Sequence, residues 1–343
     1  MKTKAFILKK TGKSSDAFEL GEINLKPLND GEVLIECEAF GLNYADVMAR
    51  RGLYREAPPF PCVVGYEVVG IVREVKGFED DYLIGERVVA FTRFGGYAKH
   101  VITPLEAVQK IGNMPVTDAL ALATQGVTAY YMAEYVSNIR PKNKVLIHAA
   151  AGGVGTLLIQ LAKNAGAEVF AKVRDDRKKK FCEVLGADHV INYSKSDYAN
   201  QIKSILKEDR LDISFNPVAG STFKKDMQLL GHASKIILFG GSELSGGKWG
   251  ILSKLNFVRK MGFFTPIIMM MKSRSIIGVN MLKVADHKPE VLNHCLQAVV
   301  KLYQEGKLKP QGGGEFNQND FFKAHDLLES GESIGKITVT WDK

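Results

Sequence analysis

The sequence predicts an α/β chain in which a β-rich domain is interrupted by a doubly wound, parallel-sheet domain. Three observations carry that reading. Residues 1–110 show the two-residue alternation of half-buried strands and are punctuated by glycine and proline. From residue 115 onward, short apolar strands alternate with amphipathic helices, as βαβ units do. The tail Lys336–Trp341 alternates again, so the chain's end should return to the first domain. The expected domains are 1–120, completed by 285–343, and 121–284.

The elements follow in order. The stretch Ala5–Leu8 reads as a first strand. In GEVLIECEAFG, residues Val33, Ile35 and Cys37 fall on one face, and CVVGYEVVGIVREV is valine-rich and broken by glycine. A helix is predicted over Pro115–Ala133, with the proline near its start. Strands are predicted at Lys144–His148, Glu168–Val173, His189–Asn192, Leu211–Phe215, Lys235–Phe239 and Ser275–Val279. Helices are predicted at 153–165, 176–185, 197–206 and 289–305. Residues 244–272 look irregular and apolar. They are expected to form a mobile lid beside a substrate cleft, with a helix at a dimer interface as the alternative.

Composition narrows the class. The 343 residues are 45% hydrophobic and 24% charged, enough to bury a sizeable core. The net charge of +8 reads as surplus surface lysine rather than nucleic-acid binding. The cysteines Cys37, Cys62, Cys182 and Cys295 form no CxxC pair and suit a reducing cytoplasm. The run MGFFTPIIMMM at 261–271 contains Pro266 and falls short of the roughly 20 apolar residues a bilayer span needs. No stable membrane insertion is expected.

The strongest local signal is KVLIHAAAGGVGTLLIQLAK at 144–163, a strand, a turn of small residues and a helix. Ala149-x-x-Gly152-x-x-Gly155 departs slightly from the GxGxxG fingerprint, but the physical demands are the same. Small residues over Ala149–Gly152, Ala151 included, let the backbone approach a pyrophosphate, Gly153 and Val154 are candidates to bind it at the helix start, and Gly155 allows close packing of helix on strand. The helix N-terminus offers free N–H groups to the phosphates. At the end of the next strand, Lys172, Arg174 and Lys178 suit a 2′-phosphate, which points to NADPH. Asp175 and Asp176 read as helix caps in preference to ribose ligands.

At this point the residues match a family. GLNYADVMARRGLY (41–54), GYEVVGIV (65–72), HAAAGGVG (148–155) and LGADHVINY (185–193) resemble the quinone oxidoreductase, or zeta-crystallin, branch of the medium-chain dehydrogenase/reductases. The segment 244–272 and the ending GKLKP…GKITV resemble the group around the synaptic vesicle protein VAT-1. The resemblance spans essentially the whole chain. It implies a GroES-like catalytic domain joined to a Rossmann domain, an active site in the cleft between them, NADPH and a homodimer. Carried over, Tyr193 would lie near the adenosine phosphate and Lys178 would bind the 2′-phosphate. Phe239, Gly240, Gly241, Val279 and Asn280 would flank the nicotinamide, and Thr128 would touch it or serve as a core residue. Two departures stand out. Asn216-Pro217-Val218 occupies a usual DxV-type motif, and Arg174-Asp175 replaces a more usual small pair.

Zinc-dependent relatives bind catalytic metal through side chains at three positions where this chain has Asn43, Tyr66 and Thr124. A catalytic zinc needs about three Cys, His or acidic ligands. Residues 90–110, where some relatives carry four structural cysteines, have none. Without a Lewis acid the favoured substrates are already electrophilic: quinones, enones and other activated carbonyl compounds. The candidate catalytic residues are Asn43 and Tyr54 as polar groups toward the substrate oxygen, with Asp46 orienting its neighbours. His148 reads as a packed histidine. Lys336 could approach the cofactor or lie on the surface. The competing function is a membrane- or protein-associated binding protein with little activity. It is suggested by the mixture of apolar residues with Lys254, Arg259 and Lys260 over 249–271.

Overall fold

The structure is a computed structural model and describes residues 1–77, 83–246, 250–263 and 265–342. The chain divides into two compact units, 1–127 with 281–343, and 128–280. The divisions fall a few residues from the expected 120/121 and 284/285. A single helical run, Val116–Val136, carries the chain across the first division, so no loop marks it.

The first unit begins with the hairpin β1 (Lys2–Leu8) and β2 (Phe18–Asn24). It continues through β3 (Glu32–Leu42), β4 (Glu67–Lys76), β5 (Arg87–Phe91), β6 (His100–Pro104) and β7 (Val108–Lys110). The second unit contributes β8 (Lys144–Ile147), β9 (Glu168–Val173), β10 (His189–Asn192), β11 (Leu211–Asn216), β12 (Leu230–Leu238) and β13 (Ser275–Gly278). The chain then returns with β14 (Gly312–Asn317) and β15 (Lys336–Thr340). The returning strands complete the first unit's sheet, in the order β14-β15-β3-β4-β5-β7, with β6 also paired to β3.

Val33, Ile35 and Cys37 are fully buried in one cluster, as the alternation in β3 predicts. The core closes on aromatics from both ends of the sequence. Phe6 stacks on Phe321 with centroids 3.9 Å apart, and Phe40 and Trp341 pack around them. Such pairs contribute roughly 0.5–1.5 kcal/mol each beyond their buried area. Sequence periodicity missed four helices here, Ser14–Ala17, Tyr44–Arg50, Met281–His287 and Phe321–Ser330, because each spans three turns or fewer.

The second unit is a six-stranded parallel sheet in the order β10-β9-β8-β11-β12-β13. The order reverses between β8 and β11, the switch point at which such sheets bind ligands. All six predicted strands are present. β12 starts five residues earlier than expected because Leu230 already pairs with Leu211 across a register shift.

The segment 244–272 differs from expectation. It is largely helical, with helices Gly250–Met261 and Pro266–Lys272. Gly262 has φ +82° after the first helix, and Pro266 opens the second. The expected lid falls partly on residues 247–249 and 264, which lie outside the described residues. Among the described residues, no helix is long and apolar enough to cross a membrane.

Candidate active site

In the first unit, the positions expected to lack zinc ligands converge on a buried ion pair. Lys336 opens β15 and Glu67 opens β4, and both side chains are fully buried and joined by a salt bridge. Asn43 follows the end of β3. Its Nδ2 donates to both Glu67 oxygens at 3.0 and 2.7 Å, and its Oδ1 accepts from Lys336 Nζ at 3.3 Å. The chemistry fixes the amide's orientation, since a carboxylate only accepts and an ammonium only donates. Lys336 also donates to the Leu42 carbonyl at 3.2 Å. Thr124 lies in the π-helical stretch Leu122–Gly126 and donates to Glu67 Oε2 at 2.5 Å.

Gly41 makes room for this cluster. A Cβ there would sit 2.0 Å from Glu67 Oε1 and 2.3 Å from Lys336 Cε. Lys336 is therefore not a surface strand residue. It supplies a fixed positive charge inside the unit.

A zinc ion does not fit this arrangement. Asn43, Tyr66 and Thr124 offer no thiolate, imidazole or carboxylate, and the neighbouring carboxylate of Glu67 already accepts from an ammonium, an amide and a hydroxyl.

Asp46 sits one turn into the helix Tyr44–Arg50. It accepts from the Asn43 N–H at 2.8 Å and the Gly65 N–H at 3.1 Å. Burial pushes its carboxyl up to about 7. The Asn43 N–H opposes the rise and the nearby Glu67 charge adds to it. Tyr54 lies half-buried with its ring 6.4 Å from that of Tyr66, edge to face. Burial, with Glu56 nearby, raises the Tyr54 phenol to about 12. The Tyr66 and Tyr97 hydroxyls are buried with no hydrogen-bond partner among the described residues, and burial raises both phenols well above their ordinary range. The three phenols therefore keep their protons at neutral pH. Asn43 spends its amide within the cluster, whereas Tyr54 is the candidate not tied into it.

In the second unit, β8 runs into the glycine-rich turn. Ala149 takes φ +49°, and Gly152 N donates to the Ala149 carbonyl at 2.9 Å. Gly152 then precedes the helix Gly153–Asn164, which includes Val154. A Cβ on Gly155 would approach the Ala149 carbonyl to 2.5 Å and Ala150 Cα to 2.7 Å, so the helix packs against the turn only because that residue is glycine. Ala151 is buried beneath. The turn thus presents the small cradle and free helix N-terminus that a pyrophosphate requires.

The residues expected at the adenosine end take distinct positions. Asp175 N-caps the helix Asp176–Val184 by accepting from Lys178 N at 2.9 Å, which is the capping role expected of it. Lys178 is largely buried and Arg174 exposed. Tyr193 follows β10 and is exposed. Lys172, expected to point toward a 2′-phosphate, instead turns onto His148 Nδ1 at 3.2 Å and over the rings of Tyr198 and Tyr193.

Phe239 N donates to the Asn216 carbonyl, and Val279 N to the Leu238 carbonyl. A Cβ on Gly240 would lie 2.7 Å from the Pro217 carbonyl. Phe239–Gly241 and Val279–Asn280 thus follow neighbouring strands, β12 and β13. Thr128 is half-buried at the unit's first residue.

Sequence reasoning missed Glu67 and Asp226 as structural anchors. The available signal was a charge in an apolar context: Glu67 in GYEVVGIV and Asp226 on the inner face of its helix.

Comparison with known proteins adds the family. Residues 29–137 match the alcohol dehydrogenase GroES-like domain and residues 153–297 the zinc-binding dehydrogenase domain. The chain is 31% identical to a 2-haloacrylate reductase of Burkholderia over 248 residues, 68% of this chain and 74% of that protein. It is 29% identical to the synaptic vesicle membrane protein VAT-1 homolog of Danio rerio over 315 residues, 91% of this chain but 65% of the relative, just under two thirds of its length. The crystal structure of the human VAT-1 homolog-like protein superposes with a TM-score of 0.84 at 26% identity, covering 100% of this chain and 99% of that one. A mycobacterial protein solved with NADPH superposes at 0.81 with 24% identity, covering 98% and 99%, and shares the fold. Two domain models in the expected order, a reductase at 31% identity and a VAT-1-like structure matching end to end together place this chain in the medium-chain dehydrogenase/reductase family of oxidoreductases, within its VAT-1 group.

Proposed function

We propose that the protein is an NADPH-dependent reductase that transfers hydride to quinones, enones or other activated carbonyl compounds without zinc. The observation that carries this reading is the Lys336–Glu67–Asn43–Thr124 cluster, which fills the place of a metal with a satisfied ion pair. A substrate that needs no Lewis acid fits such a site. Relatives named as a 2-haloacrylate reductase and as a protein complexed with NADPH support the same direction.

The turn Ala149–Gly155 would hold the pyrophosphate, with Lys178, Arg174 and Tyr193 toward the 2′-phosphate. Phe239–Gly241, Val279, Asn280 and Thr128 would border the nicotinamide. Bound there, NADPH supplies the hydride. Tyr54 donates a hydrogen bond to the substrate oxygen as negative charge develops on it. Asn43 and Asp46 are positioning residues. Asn43 links Glu67 to Lys336, and Asp46 fixes the start of the helix that leads to Tyr54.

The test is NADPH oxidation against a panel of quinones and enones, with metal content measured on the same sample. Turnover that survives EDTA, in protein lacking stoichiometric zinc, supports the reading. Inertness toward the whole panel, or one zinc per chain, overturns it.

A second reading has its own observation. Exposed apolar residues concentrate at Leu255, Val258, Phe263, Ile267, Met270 and Met271. That face suits a homodimer contact or a membrane-surface contact in a protein with little activity. Flotation with liposomes, beside sedimentation of the free protein in cytoplasmic buffer, separates the two.

A further inference from the structure

The second unit contains a buried relay that the nicotinamide reading does not use. Asp226, fully buried in the helix Ser221–Leu229, accepts from four side chains. Tyr198 OH donates at 2.7 Å, Ser214 Oγ at 2.8 Å and Asn216 Nδ2 at 2.7 Å, and His148 Nε2 lies 2.9 Å from the carboxylate. On the other side of the imidazole, Nδ1 faces Lys172 Nζ at 3.2 Å. A carboxylate can only accept and an ammonium can only donate, so the ring is the neutral tautomer with its proton on Nε2. Its Nδ1 lone pair is aimed at the lysine. Amine, base and orienting carboxylate stand in the order an activated nucleophile requires.

The amine also faces a space. A cleft of about 370 Å³ has Lys172, Tyr193, Asp197, Tyr198, Thr222 and Lys225 among its lining. Lys172 Nζ lies 4.1 Å from the Tyr198 ring centroid and 4.8 Å from that of Tyr193. Lys225 also lines the cleft, 5.5 Å from the Tyr198 ring centroid and paired with Asp197. Two lysines against one carboxylate leave the lining net positive. The helices after β10 and β11 pack on the face of the sheet opposite the glycine-turn helix, because right-handed crossovers reverse at the switch point. The Lys172 side chain reaches into that opposite face, away from Lys178.

We propose that this cleft is a covalent binding site for small planar aldehydes carrying an anionic group, which Lys172 captures as an imine. The aromatic walls receive the flat ring and Lys225 the anion. In the reaction, His148 Nδ1 takes a proton from the Lys172 ammonium and the free amine attacks the aldehyde carbon. A new C–N bond forms, and the proton passes from His148 to the carbonyl oxygen. Loss of water then breaks the C–O bond and leaves a protonated imine. Ammonium and aldehyde give protonated imine and water, with no change in charge and no redox partner. Burial supports the step by lowering the lysine's pKa to about 8, against the pull of Asp226. Tyr193 is shared with the proposed 2′-phosphate site, and the proposal rests on that ring being open to the aldehyde while Lys172 stays outside the cofactor's reach.

The probe is pyridoxal 5′-phosphate, a planar aldehyde with a phosphate, added to the full chain and trapped by borohydride before peptide mapping. One label per chain, on Lys172 and about tenfold faster than on any exposed lysine, is the expected result. Lys172→Met should abolish the imine absorbance. Lys225→Gln should weaken it while leaving the thermal melt in place. His148→Asn should slow its formation. Labels spread over exposed lysines, or an unlabelled Lys172, would overturn the proposal. Protection of Lys172 by saturating NADPH would also overturn it, by assigning the lysine to the cofactor. The mapping and protection arms use the unmodified chain and so do not depend on any variant folding.

Discussion

The two units each bury a lysine, and the two lysines are held in different ways. Lys336 meets its carboxylate directly, is fully enclosed, and has every neighbour satisfied. Lys172 meets its carboxylate only through the imidazole of His148, and it faces a cleft. Direct pairing in a closed site makes a structural cation whose removal strands a charge. Pairing through a neutral relay leaves the amine able to give up its proton, and leaves the carboxylate satisfied by other donors if the amine is lost. Partner distance and access, rather than residue type, separate scaffold from chemistry here.

The largest expected effect breaks that comparison most sharply. Lys336→Met should destabilise the protein by about 3–5 kcal/mol, because Glu67 stays buried without its counter-charge. Lys172→Met should cost about 1–3 kcal/mol, because only the acceptor on His148 is left unsatisfied. Urea unfolding of both variants measures the gap, and equal losses would remove the distinction.

Next in size, Lys178→Ala should weaken NADPH binding by about 1.5–3 kcal/mol and leave NADH binding little changed, as loss of a charge-assisted phosphate contact does. Titration calorimetry with both cofactors checks this. If Lys172→Ala shows the larger loss instead, the relay lysine and not the helix lysine recognises the phosphate.

A change outside both lysines sharpens the comparison further. Gly41→Ala should cost about 1–3 kcal/mol, as overpacking does, since its Cβ would collide with Glu67 and Lys336. The loss should shrink in the Gly41→Ala/Lys336→Met double variant. Additive losses would show that the glycine serves some other need.

A further effect is on pH dependence. Asp46 titrates near 7 in the folded protein, above its ordinary carboxylate range. Its contribution to stability is therefore present at acid pH and is lost as the pH rises from about 4 through about 7. Asp46→Asn should flatten the unfolding free energy across that window relative to the parent. Parallel curves would show that Asp46 titrates normally.

Much of this was legible in the sequence. Period-two alternation found β3, and its three inward residues are fully buried. The strand–turn–helix pattern at 144–163 located the glycine turn, because small residues and a helix start are local properties. Asp175 was read as a cap from its position alone. What stayed hidden was long-range. Nothing near Lys336 in the sequence points to Glu67, and nothing near Lys172 points to Asp226. A side chain's partner across a sheet is set by topology. The helices in 244–272 were missed for a different reason: apolar residues on several sides blur the periodicity, and only Pro266 hinted at a start.

The Glu67–Lys336 pair joins residues 269 positions apart, with the whole second unit threaded between them. On a ribosome, the carboxylate leaves the exit tunnel well before its ammonium. At about 5–20 residues per second the interval is roughly 15–50 seconds. During that time the first unit lacks β14, β15, Phe321 and Trp341, and so lacks part of both its sheet and its aromatic core. The second unit, continuous in sequence, has all its strands and can close first. The order of maturation thus departs from the order of synthesis: the middle of the chain can become native before its beginning.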